Sequence, residues 1–119
     1  MEALEIAKLA AGWLDAKKAQ DLQVIRVREL TVIADYFVLA SGTSNTQVKA
    51  LADEVEYQFS QRGIEPARTE GYRTASWIAM DYGSVIIHIF QKGTRDFYQL
   101  ERVWADGEQV DLSEIIKPN

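Results

Sequence analysis

The chain has 119 residues, enough for one domain with a single core. Hydrophobic residues make up 47% and charged residues 26%, a balance that excludes a disordered chain. A net charge of −5 and the absence of cysteine argue against a nucleic-acid-tracking protein, a disulfide framework and a thiolate metal site.

The N-terminus carries Glu2 and Glu5 where a signal peptide would be basic, and no apolar run is long enough to span a bilayer. A cytoplasmic protein without a membrane segment is therefore expected. Residues 2–18 place Leu4, Ala7, Leu9, Ala11, Trp13 and Leu14 at helical spacing. Leu22–Glu29 alternates apolar and polar residues and reads as a strand. Asp35–Ser41 is a nearly unbroken apolar run, the pattern of a central strand buried on both faces. Ser44 with Gln47 forms a capping box for a helix whose apolar stripe is Val48, Leu51, Ala52, Val55 and Phe59, ending at Gly63. Ile64–Tyr72 is a weak strand interrupted by Pro66, which suits a sheet edge. Ser76–Gln91 is a hairpin turning at Tyr82-Gly83-Ser84. Thr94–Trp104 reads as a helix with Phe97, Leu100, Glu101 and Trp104 at turn spacing. A turn follows at Asp106-Gly107, and "LSEII" suits a last helical turn.

This order predicts one α/β domain over residues 1–105, with a mixed sheet of about five strands flanked by helices. Residues 106–119 form an acidic tail, which suits either solvation or a basic protein partner. No basic stripe is present: Lys17 and Lys18 are adjacent, and Arg26 and Arg28 share a strand face, but both are small clusters.

Candidate chemistry is sparse. "VLASGTSNTQVKAL" (38–51) is laid out as a strand feeding a helix through a glycine-containing loop, as in phosphate-binding sites. A Walker loop needs a Lys-Ser/Thr pair at its end, and a dinucleotide loop needs three spaced glycines; Gly42 stands alone. A nucleotidyltransferase would carry paired carboxylates for magnesium on the next strand, which offers only Glu70. A nucleotide-binding or transferase-like loop after Gly42 remains the alternative function, against simple helix capping. His88, the sole histidine, lies in an apolar strand and reads as packed and hydrogen-bonded. No catalytic residue, cofactor or metal ligand set is expected.

Aromatic residues concentrate in the second half. On an extended strand Trp77, Ala79 and Asp81 share one face, and Ile78, Met80 and Tyr82 the other. A face of Trp, Ala and Asp suits an interface centre with a polar rim as well as it suits packing under a helix.

Three blocks in order, "ADYFVLASGTSNTQVKALADEV", "EGY" followed closely by "WIAMDYGSVIIHIF", and "RDFYQLERVW", carry a family resemblance. From about Leu4 to Trp104 the chain resembles the ribosomal silencing factor, or Iojap-like, family. It departs from the pattern at Ser84, where many members are acidic, and at Thr46, where arginine is common. The resemblance implies a nucleotidyltransferase-like fold without the catalytic carboxylates, and no enzymatic activity. It implies binding to the large ribosomal subunit through its protein fourteen, so that the small subunit is kept from joining and translation falls when nutrients are scarce. It also implies self-association as a homodimer, while the net charge of −5 separately predicts little direct contact with nucleic acid. Carried onto this chain, the partner surface is the "WIAMDYG" strand and its turn. Trp77 is the aromatic anchor and Asp81 the charge partner for a basic residue, with Met80, Tyr82 and Tyr98 as flanking contacts.

Overall fold

The structure, a computed structural model, describes residues 1–116, apart from the side chains of residues 100 and 101. The apolar run predicted as a central strand is β2 (Tyr36–Gly42), buried along its whole length. It pairs antiparallel with β1 (Gln20–Arg26) and parallel with β5 (Val85–Gln91). β5 pairs antiparallel with β4 (Trp77–Asp81), its hairpin partner, and β4 with β3 (Arg68–Glu70). β3 is three residues long and lies at the sheet edge, as Pro66 foretold. Gly83 makes the hairpin turn at φ +85°, a conformation cheap only for glycine.

The opposite edge differs from expectation. Glu108–Gln109 forms a sixth strand, β6, antiparallel to β1, so the order among the described residues is β3-β4-β5-β2-β1-β6. The segment read as a tail is thus packed onto the domain as far as it is described. Val110 N–H donates to the Val24 carbonyl at 2.8 Å, and Leu112 is buried. Leu112–Ile116 closes a hydrogen-bonded turn whose Ile115 lies against Gly12. Residues 117–119 lie outside the described residues. Cutting the chain after residue 105 should therefore cost about 3 kcal/mol, the burial of Leu112 plus part of Val110 and Ile115. A lowered urea midpoint would show it; an unchanged midpoint would mean that β6 contributes nothing.

Two long helices, α1 (Ala3–Ala16) and α2 (Asn45–Ser60), cover one face. Their apolar sides meet Val24, Val38, Ala40, Ile78, Met80, Ile87 and Ile89 in the main core. The α2 stripe is the predicted one, residue for residue. In α1 the centre of the face is Ile6, Ala7, Ala10, Ala11 and Leu14, while Leu4, Leu9 and Trp13 sit at its rim. Ser44 Oγ accepts from the Gln47 N–H at 3.1 Å, as a cap should, but Gln47 Oε1 reaches back to the Thr43 N–H rather than to Ser44. Gly63 has φ +74° just beyond α2.

The last predicted helix is two pieces. α3 (Lys92–Tyr98) starts two residues early, capped by Gln91, and ends where Gln99 turns left-handed at φ 49°. α4 (Leu100–Val103) follows; the predicted contacts of Leu100 and Glu101 lie outside the described side chains. Buried Arg95 ties α3 to β2 by donating from Nη1 to Ser41 Oγ at 2.9 Å. Among the described residues no helix is long and apolar enough to cross a membrane.

Candidate docking face

Strand alternation puts a second set of side chains on the face away from α1 and α2. Register aligns Trp77 with Phe90, Ala79 with His88 and Asp81 with Ile86, and β2 adds Phe37 and Leu39 beside Ile86 and His88. A smaller cluster of Ile25, Val27, Ala34, Phe37, Leu39 and Phe90 roofs the β1–β2 end, where Trp104 meets Phe37 edge to face at 5.0 Å. The β3–β4–β5 end carries no long helix. It forms a groove of about 420 Å³ with Ala79, Ile86 and His88 as its apolar centre, Ile33 at one side, and Arg68, Glu70 and Asp81 as a charged rim. A second hollow, about 410 Å³, opens between Ser76, Gln91 and Thr94 and the rings of Trp77, Phe97 and Tyr98. Trp77 lines this second hollow.

Trp77 is half-buried and held by rings: Phe90 at 5.1 Å, Tyr98 at 5.3 Å and His88 at 5.9 Å. Its Nε1–H donates to His88 Nδ1 at 3.0 Å. Packing therefore holds part of the indole, with Phe90, His88 and Tyr98 against it, and part of the ring stays accessible. Tyr98 is 52% and Phe97 80% exposed, a large apolar area for a short helix.

His88 is packed and hydrogen-bonded, as its apolar strand suggested. Its ring meets Phe37 edge-on at 5.0 Å and stacks with Phe90 at 6.1 Å. Burial lowers its pKa from 6.5 to about 4, so the ring is neutral at pH 7 with its proton on Nε2. The unfolded chain binds this proton more tightly than the folded one. Stability is therefore full above pH 6.5 and falls as pH drops toward 4, by about 3 kcal/mol from this group. Urea midpoints taken from pH 7 to pH 4 should show the loss, with a flatter profile in His88→Asn. Equal slopes in both chains would contradict it.

The structure brings together Trp77, Asp81 and Tyr98 on this face. Asp81 is partly engaged already: Oδ1 accepts from the Gly83 N–H at 2.8 Å, while Oδ2 faces Arg68 Nε at 3.8 Å in an exposed, long and weak pair. Met80 is not on this face, contrary to expectation. It is fully buried on the helix-covered side, because strand parity turns it away from Trp77. Tyr82 also lies on the helix side, tilted against Phe59 at 4.7 Å, with burial pushing its phenol pKa up. Sequence reasoning missed Ile33, Ile86 and the Arg68–Glu70 rim. Alternation along residues 77–82 could not reveal them, because Ile33 lies in a loop and the others join this face through the register of β3, β4 and β5.

The loop after Gly42 is occupied by its own contacts. Gln47 accepts from both the Thr43 N–H and its hydroxyl, Ser44 caps α2, and Asn45 donates to the Thr74 carbonyl. Among the described residues no group of three or more His, Cys, Asp or Glu could hold a metal ion.

The family model described as "Ribosomal silencing factor during starvation" matches residues 1–119. A Halalkalibacterium halodurans protein named ribosomal silencing factor is 38% identical over 112 residues, 94% of this chain and 96% of that one. The crystal structure of a Chromobacterium violaceum protein superposes with a TM-score of 0.85 at 33% identity, covering 95% of this chain and 93% of that one. A Mus musculus protein named mitochondrial assembly of ribosomal large subunit protein 1 is 32% identical over 95 residues, 77% of this chain and 42% of its own length. With a family model matched from end to end and this fold shared with a relative, the chain belongs to the ribosomal silencing factor family.

Proposed function

We propose that this chain binds the large ribosomal subunit through its protein fourteen, in the cytoplasm, and blocks the small subunit from joining, so that translation falls when nutrients are scarce. The observation that carries it is the open β3–β4–β5 face, where the half-buried Trp77 lines one hollow and is hydrogen-bonded to His88, which lines a groove rimmed by Arg68, Glu70 and Asp81. Aromatic anchors in such settings dominate binding energy. Membership of a ribosomal silencing family supports a ribosomal partner and a regulatory protein rather than an enzyme. The name of the mitochondrial relative points to the large subunit. A net charge of −5 disfavours ribosomal RNA and favours the basic surface of a ribosomal protein.

The mechanism needs no chemistry. A 13.5 kDa body seated where the two subunits meet excludes the second subunit by its bulk, so inhibition follows occupancy. In the free state the chain self-associates as a homodimer. Purified subunits mixed with increasing amounts of the protein, followed by light scattering, test this directly. Joining should be lost with saturation near one protein per large subunit. Joining that persists while the protein stays bound would overturn the steric mechanism.

A further inference from the structure

We propose that His88 is a positioning residue, which holds the Trp77 indole in its docking orientation through the Nε1–H to Nδ1 hydrogen bond. The inference rests on the docking function proposed above and adds how the anchor is held. A half-buried indole N–H needs an acceptor, and two orientations about its outer torsion would otherwise compete. On this face the acceptor is His88 Nδ1, one strand away at 3.0 Å. The bond turns the N–H edge of Trp77 toward β5 and leaves to a partner the part of the ring that Phe90 and Tyr98 do not cover.

The holder is itself held. The His88 ring is clamped by Phe37 edge-on and by Phe90 in a stack, and Leu39 and Ala79 are its neighbours in register. Nε2 is buried and has no partner among the described residues, so Nδ1 and ring packing alone orient the imidazole. A neutral ring with Nδ1 free to accept is what this bond requires, and a cation would donate from both nitrogens and lose it. An anchor fixed before docking loses less side-chain freedom on binding, which is where the gain in affinity arises.

The test uses the full chain labelled with ¹⁵N, with the Trp77 indole signal assigned through Trp77→Phe. In His88→Phe, which keeps an aromatic ring but no acceptor, the Trp77 indole signal should move toward that of a free indole. Binding to purified large subunits should weaken about fivefold, the value of one net hydrogen bond. His88→Asn places Oδ1 where Nδ1 stood and should restore both readouts to within about twofold. An unmoved indole signal in His88→Phe, or binding equal to that of the unchanged chain, would overturn the proposal. Should His88→Phe not fold, solvent exchange of the Trp77 indole proton in the unchanged chain decides: exchange as fast as free indole overturns the bond. If the unchanged chain does not bind large subunits, the docking function falls and the role of His88 in it with it, even where a slowly exchanging indole shows that the bond exists.

Discussion

Replacing Trp77 with alanine should weaken binding to the large ribosomal subunit by at least about 30-fold, equivalent to about 2 kcal/mol. The indole is the largest partly exposed side chain lining the second hollow, and its ring contacts with Phe90, His88 and Tyr98 hold it in place. Its removal takes away a wall of that hollow and strands the His88 acceptor without its donor. The fold should survive, because the main core of α1, α2 and the far side of the sheet does not include this residue. Tyr57→Ala is the matching control. Tyr57 is 57% exposed on α2, on the opposite layer, and its loss should leave binding unchanged. Sedimentation of each variant with large subunits, alongside circular dichroism, separates binding from folding. Native spectra with undiminished binding by Trp77→Ala would remove this face as the docking surface.

Gly71→Ala should be among the most destabilising single-methyl additions in the chain, at about 3 kcal/mol. Gly71 has φ +82°, where a Cβ costs about 1–2 kcal/mol by itself. The added carbon would also land on the Trp77 carbonyl oxygen, which is backbone and cannot swing aside. The 71–76 loop has no slack to absorb a shift, since the Ala75 N–H donates to the Gly71 carbonyl at 2.9 Å and Ala75 is fully buried at φ 59°. Gly63→Ala isolates the collision. Gly63 has a similar φ of +74° but open space around it, so it should lose only about 1 kcal/mol. Thermal unfolding of both variants provides the comparison. Equal losses would mean that the approach of Gly71 to Trp77 is not tight. Because the strain enters at the first residue of β4, Gly71→Ala should also weaken large-subunit binding.

Much of this was legible from local pattern. The unbroken run 36–42, the stripe from Val48 to Phe59 and the turn at Gly83 each carry their own structural instruction, through burial on both faces, helical period and positive φ. The three family blocks carry the silencing-factor family in the sequence itself. Strand parity alone separated Trp77 and Asp81 from Met80 and Tyr82.

Parity says which residues share a face, but not which face the helices take. Only the packing of α1 and α2 buried Met80 and left Trp77 open, because Trp77 and Ala79 on one face of β4 and Ile78 and Met80 on the other are both apolar enough to be covered. The same limit hid the sixth strand. Glu108 and Gln109 have little strand character of their own and pair because β1 presents an unfilled edge beside them. The break at Gln99 arises where Arg95 is drawn down to Ser41, a residue 54 positions away in the chain, and Tyr98 comes to rest on Trp77. The Trp77–His88 bond likewise depends on the register of a hairpin. The sequence by itself determined the family, the order of the elements and the two sides of each strand, because those follow from interactions between near neighbours. Which side stays bare and which distant side chains meet on it were decided only by tertiary structure, since both depend on how separate elements pack.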